Sequence, residues 1–242
     1  METHRVEIDK IAPLLKTLRR LEDDGQYEKA IFLLNRLETD WHKRPDVLRR
    51  RAYLLFHLGR YDAAIACLRK AGEDSKSTKL LSRCIDEQAL FLEGIGCHAE
   101  AAKTRSILLR RDLGNIQQMI KIGISLAMAE QNEPALAYFD RALAQDLQNE
   151  EAWYNKGVTL MQMRFFDKAL DCFEKAIQIN RSNAWTWYQK ALCLREKSRS
   201  LPAWKQGISV DEIRLCLGKA IRIDPRLEEA KAILKELQGA GE

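Results

Sequence analysis

Residues 152–157 read Ala-Trp-Tyr-Asn-Lys-Gly, and Leu160, Ala169 and Phe173 follow them along the chain. Trp153, Gly157 and Leu160 have the i, i+4, i+7 spacing of one face of an α-helix. Ala169 and Phe173 are spaced i, i+4 on a second helix. Because Gly157 and Ala169 are small, the two backbones can approach closely. The stretch therefore predicts a hairpin of two packed helices.

The same residue types recur with a period of 34 residues, which separates Trp153 from Trp187 and Gly123 from Gly157. The resulting units cover about 11–44, 45–81, 82–115, 116–149, 150–183 and 184–227, and they start at Ile11, Pro45, Ser82, Ile116, Glu150 and Ala184. Leucine occupies the eleventh place of every unit: Leu21, Leu55, Leu92, Leu126, Leu160 and Leu194. One hairpin cannot bury its apolar face alone, so the units should stack into an all-α solenoid.

Two units depart from this period. The second has 37 residues because residues 72–78 lengthen a connection, and the sixth contains an insertion near 198–207. The insertion carries Leu201 and Trp204, so we consider two interpretations: a loop packed on its own solenoid, or a contact element for a partner. A capping box at Ser209 and Glu212 should restart the helix after it. An amphipathic segment at about 227–238 is typical of a capping helix.

Composition agrees with short connections between helices, since the 242 residues include only 12 glycines and 5 prolines. Apolar runs fall short of the about 20 residues that span a bilayer, which predicts no membrane association. The net charge of +5 arises from 40 basic and 35 acidic residues mixed along the chain. Six scattered cysteines lack zinc-ligand spacing and are expected to be reduced thiols in a cytoplasmic protein.

The sequence shows no signature of catalysis. Phosphate-binding glycine loops, metalloprotease histidine pairs and nucleophile-elbow serines are all absent. Gly94-Ile95-Gly96 has neither a third glycine nor a preceding strand, and it fits a turn between helices. We therefore predict a protein that is not an enzyme and that uses no cofactor and no metal.

The repeat resembles the tetratricopeptide repeat family over residues 11–227, most fully at Ala152–Gly157 with Ala169, Phe173 and Ala176. The resemblance implies one domain over 1–242, a right-handed superhelix of about six hairpins plus the capping helix, whose concave face binds a peptide or protein segment. Two units depart from the family in carrying Glu130 and Arg164 at the turn glycine. The sequence also lacks the charged clamp with which some members bind carboxylate tails.

The concave face of this family is lined by the first helix of each unit. In the first three units the corresponding residues are mixed in charge, and in the last three they are apolar or aromatic. The predicted partner-binding groove contains Ile120, Ile124, Met128, Tyr154, Asn155, Val158, Met161, Trp185, Tyr188 and Leu192. A contiguous apolar surface of this kind typically marks an interaction site. We therefore predict an adaptor that binds a peptide or amphipathic helix of another protein, which Asn155 can hydrogen-bond.

Three alternatives remain open at this point. The array can bury the apolar residues itself, by tight coiling or with the loop that carries Trp204, or a second copy can cover them in a homo-oligomer. RNA binding is less favoured, because Asp46, Asp86, Glu87 and Glu93 lie among the arginines that would contact phosphate. These arginines are Arg19, Arg20, Arg49, Arg50, Arg51, Arg110 and Arg111.

Overall fold

The computed structural model describes residues 14, 16–36, 41–72, 74–109, 115–200 and 210–239, and each regular element in these ranges is a helix. The all-α prediction is therefore confirmed. The chain divides into an N-terminal unit (Met1–Gly96) and a C-terminal unit (Cys97–Glu242). The N-terminal unit contains α1 (16–23), α2 (Tyr27–Asn35), a 3-10 turn (Trp41–Lys43), α3 (Pro45–His57), α4 (Tyr61–Ala71) and α5 (Ser75–Gly94). The C-terminal unit contains α6 (His98–Leu109), α7 (Ile116–Met128), α8 (Asn132–Gln145), α9 (Glu150–Gln162), α10 (Phe166–Ile179), α11 (Ala184–Ser200), α12 (Val210–Ile223) and α13 (Glu228–Gly239).

Consecutive helices pack against each other within each unit, as stacked hairpins require. In the N-terminal unit α3 packs on α2 and α4, and α5 packs on α4. In the C-terminal unit every helix from α6 to α12 packs on the next, and α9 also contacts α7 and α11. Four predicted unit starts are the first residues of α3, α7, α9 and α11. The first helices α7, α9 and α11 are therefore neighbours.

An asparagine precedes each of these three helices. The side-chain oxygens of Asn115, Asn149 and Asn183 each accept a hydrogen bond at 3.0 Å from a backbone N–H at the start of the helix. The first amides of a helix have no partner within it, and such caps satisfy one of them. The three capping asparagines therefore follow the same 34-residue period as the helices that they precede.

Helix α5 begins at Ser75, whereas the sequence register placed the start of the third unit at Ser82. Asp74 caps the helix by accepting hydrogen bonds from the backbone N–H groups of Lys76 and Ser77, both at 2.9 Å. The bonds from the Ser77 backbone and hydroxyl are the main reason that the pKa of Asp74 falls to about 2. Most of the predicted lengthened connection is therefore additional helix, and only its first residues join α4 to α5.

The turns between paired helices keep a residue with a left-handed backbone conformation, that is with positive φ, even in the units that lack the turn glycine. Gly59 has a φ of 69°, and Glu130 and Arg164 have φ values of 59° and 64° at the corresponding places. The N–H of Phe165 then donates to the Leu160 carbonyl at 2.9 Å, a bond typical of helices that end on a left-handed residue. The hairpin geometry therefore imposes positive φ on Glu130 and Arg164, at a cost of about 1 kcal/mol each.

Replacing Glu130 by glycine is expected to raise the free energy of unfolding by about 1 kcal/mol, since glycine adopts positive φ without a steric penalty. Urea denaturation followed by circular dichroism measures the change. The control is Ala137→Gly in the exposed interior of α8, which should lower the free energy of unfolding by about 1 kcal/mol. A loss of stability in both variants would contradict the assigned turn.

Aromatic rings fill the space beside the small residues of the hairpins. A Cβ atom on Gly157 would lie 2.8 Å from Cε1 of Phe173, and one on Gly123 would lie 2.6 Å from Cε1 of Phe139. Both phenylalanines are fully buried, and so is Ala169. The small places predicted from the sequence are therefore the points where α7 packs on α8 and α9 packs on α10.

The last helix, α13, packs on α12 and continues the core to the end of the C-terminal unit. Leu227 and Ala230 are buried there together with Leu217 of α12. Residues 198–200 of the predicted insertion continue α11. Leu201, Trp204 and the expected cap at Ser209 lie outside the described residues, as do Ile11, Arg110 and Arg111. Both interpretations of the insertion stay predictions.

Candidate functional site

The residues predicted to line a groove lie on α7, α9 and α11 of the C-terminal unit. Met128 and Trp185 are the most exposed, with 58% and 46% of their surfaces accessible. The half-buried members are Ile124, Tyr154, Asn155, Val158, Met161 and Leu192. We call the accessible apolar and aromatic members the apolar face: Ile124, Met128, Tyr154, Val158, Met161, Trp185 and Leu192.

Two predicted groove residues lie in the core instead. Ile120 is completely buried in a cluster that includes Ala152 of α9, so packing between neighbouring first helices covers it. Tyr188 is 9% exposed and belongs to a cluster that includes Leu227 and Ala230 at the C-terminal cap. In the units of α7 and α11 the fifth place therefore serves packing between hairpins more than access to a partner.

Two residues of the apolar face make aromatic contacts. The Trp185 and Tyr188 rings meet edge to face with centroids 5.8 Å apart. The Tyr154 ring lies 6.3 Å from the buried ring of Phe173. Burial raises the pKa of the Tyr154 hydroxyl, and a hydrogen bond with Gln189 opposes this rise. Trp185 is thus supported from below by Tyr188 while much of its indole remains accessible.

Asn155 is half-buried, and part of its hydrogen-bonding capacity is already used. Its Nδ2 donates to the Glu151 carbonyl of the same helix at 2.8 Å. An Asn side chain also carries an acceptor oxygen. The predicted contact with the backbone of a bound segment can therefore use Oδ1, which accepts from a backbone N–H, or the second N–H of Nδ2, which donates to a backbone carbonyl.

Glu150 has a positioning role that the sequence reasoning missed. Its carboxylate accepts hydrogen bonds from Asn183 Nδ2 at 2.5 Å and Thr186 Oγ1 at 3.3 Å, which ties the start of α9 to the start of α11. Asn183 also accepts from the backbone N–H of Trp185 at 3.0 Å. The network therefore fixes the position of the first turn of α11, which contains Trp185. An acidic residue at a helix start is so common that its spacing carries no signal for this role.

Trp187 differs from Trp185 although only one residue separates them. Its Nε1 donates to the Arg181 carbonyl at 3.1 Å, and the Lys219 ammonium lies 4.2 Å from its ring centroid. Trp153, one period earlier, donates to the Leu147 carbonyl at 2.9 Å. The repeat therefore uses one tryptophan place for packing, whereas Trp185 lies on the accessible face of α11.

The arginine run of the N-terminal unit is engaged by neighbouring side chains. Arg50 Nε donates to Glu22 Oε1 at 2.7 Å, and its NH2 group donates to Oε2 at 2.7 Å. This bidentate pair raises the pKa of Arg50. Arg49 bonds Asp74, and Arg51 NH2 donates to Asn35 at 2.7 Å. The phosphates of a nucleic acid would have to compete with these partners for the three arginines, which disfavours nucleic-acid binding by this part of α3.

Ligand clusters for a metal are absent from the described ranges: no three His, Cys, Asp or Glu side chains come together there. The described cysteines are free thiols. Burial raises the pKa of Cys172 to about 11 and that of Cys193 to about 12, which keeps these thiols protonated and favours packing over reactivity. Among the described helices, none combines the length and the apolar character needed to cross a bilayer.

Solved structures with a similar fold are numerous. YrrB, a TPR protein with an unusual peptide-binding site, gives a TM-score of 0.57 at 21% identity over 80% of this chain and 93% of that chain. The MamA protein gives a TM-score of 0.55 at 18% identity, and the match covers 76% of this chain and 94% of that chain. The C-terminal part of a TPR repeat-containing protein from Cytophaga hutchinsonii gives a TM-score of 0.56 at 19% identity. That match covers 86% of this chain and 78% of that chain. At these identities the similarity establishes the fold alone.

Sequence comparison identifies the repeat itself. Tetratricopeptide repeat family models match residues 15–78 and residues 150–183. A comparison with curated proteins finds no significant match. Because repeat models match in both units and the helices pack as hairpins around the predicted small residues, the chain belongs to the tetratricopeptide repeat family.

Proposed function

We propose that the C-terminal unit binds an apolar or amphipathic segment of a partner protein on the apolar face. The tetratricopeptide repeats support a role as a protein-interaction scaffold. The apolar face supports α7, α9 and α11 as the helices that would contact the partner. An amphipathic helix or extended peptide laid along neighbouring helices is the recognition mode that suits such a surface.

The exposure of Trp185 is the observation that carries the proposal. An indole that is 46% accessible and fixed against Tyr188 presents a large apolar surface to solvent. Tryptophan is among the commonest anchors of protein interfaces because it buries much area and loses little conformational entropy. Met128, 58% exposed at the end of α7, adds a flexible side chain that can pack against different ligands.

The half-buried aliphatic residues support the same proposal. Ile124, Val158 and Leu192 occupy the ninth place of three consecutive units, one on each first helix. Each leaves part of its side chain accessible, so a bound segment would complete its burial. The unusual peptide-binding site of YrrB is a property of that protein, and it gives a precedent for peptide recognition on this fold.

The variants Trp185→Ala and Trp187→Ala test the proposal as a matched pair. Trp185→Ala should leave thermal unfolding nearly unchanged and weaken binding of a partner segment by about 2 kcal/mol, the usual loss when an interface anchor is truncated. Trp187→Ala should lower the free energy of unfolding by about 2 kcal/mol, because it removes a half-buried ring from the hairpin core. Thermal melts and calorimetric titrations measure the two effects.

Molar mass from light scattering separates partner binding from self-association. If a second copy covers the apolar face, the wild type will be a dimer that Trp185→Ala converts to a monomer. If the unit buries the face itself, Trp185→Ala will destabilise the protein as much as Trp187→Ala. Either result contradicts the proposed binding of a separate partner.

Three further predictions concern catalysis, the extent of the domain and the location of the protein. The tetratricopeptide repeat is generally a non-catalytic fold, and we keep the prediction that this member is not an enzyme. A single repeat domain over 1–242 and a cytoplasmic location also stay predictions.

A further inference from the structure

The seventh place of the repeat ties most first helices to the second helix that precedes them. At four junctions in the described ranges, the side chain at this place donates a hydrogen bond to a residue of the preceding second helix. These bonds join Arg51 to Asn35, Gln88 to Asp62, Lys156 to Asp140 and Lys190 to Glu174, at 2.7, 2.6, 2.6 and 2.9 Å. The seventh place of α7 is Ile122, whose side chain has no group that could form such a bond with α6.

The junction between α6 and α7 has its polar contact in the buried layer instead. Arg105 of α6 is 4% exposed, and its NH1 group donates to Ser125 Oγ at 2.7 Å. Nearer the surface, Ser106 takes the place of the acidic partner, and its hydroxyl donates to the Lys103 carbonyl of its own helix at 2.6 Å. The surface bond that crosses the other junctions is therefore missing from this one.

A cleft of about 340 Å³ opens at this junction, and we call it the α6–α8 cleft. Its lining includes Ala99, Ala102, Lys103, Ile122, Leu126 and Tyr138. Because Ala102, Ile122 and Leu126 are buried, the cleft has an apolar floor. A cleft of about 360 Å³ at the next junction has the bonded Lys156 and Asp140 among its lining residues. The interior of the α6–α8 cleft is therefore apolar where its neighbour contains an ion pair.

Two cations lie at or next to the α6–α8 cleft. Lys103 is exposed and is the charged residue among those that line it. The guanidinium of Arg141 lies 5.3 Å from the ring centroid of Tyr138. Within the part of the chain that the structure describes, neither Lys103 nor Arg141 forms an ion pair. The exposed Glu100 and Glu133 belong to the same helices but do not line the cleft.

We infer that the α6–α8 cleft binds a partner segment in which aspartate or glutamate lies next to leucine or an aromatic residue. The apolar side chain covers the floor of the cleft, and the carboxylate pairs with Lys103 or Arg141, so the charges of the two partners are complementary. The volume lies near the lower limit of ligand pockets, about 300 Å³, which suits one large side chain. This inference does not depend on the proposed function, because the cleft shares no residue with the apolar face.

The test is selection of a random displayed peptide library on the full-length protein, with folded Ala99→Trp protein as the counter-selection. Ala99 is half-buried in the first turn of α6, and an indole at this position would occupy the cleft. Peptides retained only by the wild type are synthesised and titrated by calorimetry. We expect them to carry aspartate or glutamate next to leucine, phenylalanine or tryptophan. Should Ala99→Trp fail to fold, Lys103→Glu takes its place in the counter-selection.

Charge reversal checks the role of Lys103 without changing the core. Lys103→Glu should weaken binding of the selected peptides at least tenfold, and increasing salt should weaken their binding to the wild type. The matched control is Lys175→Glu, which reverses an exposed lysine on α10 and should bind like the wild type. Trp185→Ala should also bind these peptides like the wild type, since the apolar face does not contact them.

The inference is overturned if the library yields no peptide that the counter-selection removes. It is overturned as well by peptides that lack acidic residues or that bind Lys103→Glu as tightly as the wild type. A wild-type dimer that Ala99→Trp converts to a monomer would show that a second copy occupies the cleft. Loss of binding in Trp185→Ala would assign the peptides to the apolar face, so this inference and the proposed function fail in distinguishable ways.

Discussion

Replacing Ala169 by arginine should unfold the C-terminal unit or lower its free energy of unfolding by more than about 4 kcal/mol. Ala169 has no exposed surface and packs in a cluster with Leu160, Phe173 and Cys193. These neighbours come from α9, α10 and α11, so the guanidinium would enter a contact between three helices.

Thermal and urea denaturation followed by circular dichroism measure the effect of Ala169→Arg. The control is Ala137→Arg, which places the same side chain on the exposed surface of α8 and should change stability by less than about 0.5 kcal/mol. A melting temperature of Ala169→Arg equal to that of the control would refute close packing at the twentieth place.

Replacing Gly157 by alanine should destabilise the same unit by about 3 kcal/mol through overpacking. The added Cβ would lie 2.8 Å from Cε1 and 2.9 Å from Cδ1 of Phe173, well inside van der Waals contact. The Phe173 ring is fully buried and has little room to move. This loss would reverse the usual gain when alanine replaces glycine in a helix.

The double variant Gly157→Ala with Phe173→Leu identifies the source of this loss. Since leucine lacks the ring atoms that meet the new Cβ, the two substitutions together should destabilise less than the sum of their separate effects. Gly218→Ala is the matched control, because an added Cβ there would meet no atom within 4 Å apart from its chain neighbours and the backbone of its own helix. It should stabilise α12 by about 0.5 kcal/mol. Strict additivity in the double variant would show that the ring does not limit position 157.

The predicted helix starts were accurate where the repeat was most regular. Ile116, Glu150 and Ala184 each follow an asparagine cap, and the caps, small residues and leucines share one period. Helix α5 differs because Asp74 supplies a cap ahead of the unit start and Leu81 gains a buried contact, neither of which the period encodes. Local hydrogen bonds and burial therefore extended this helix beyond the register.

The repeat family, the paired helices and the residues at which they touch could be predicted from the amino-acid sequence, because they depend on spacing along one chain segment. The burial of Ile120 and Tyr188 could not be predicted in this way and became evident from the folded structure, since it depends on packing between hairpins and on the C-terminal cap. The folded structure also assigned positive φ to Glu130 and Arg164, whose residue types would not predict it. Exposure at Trp185 is a property of the same kind, because a side chain becomes accessible or buried only when neighbouring units have stacked around it.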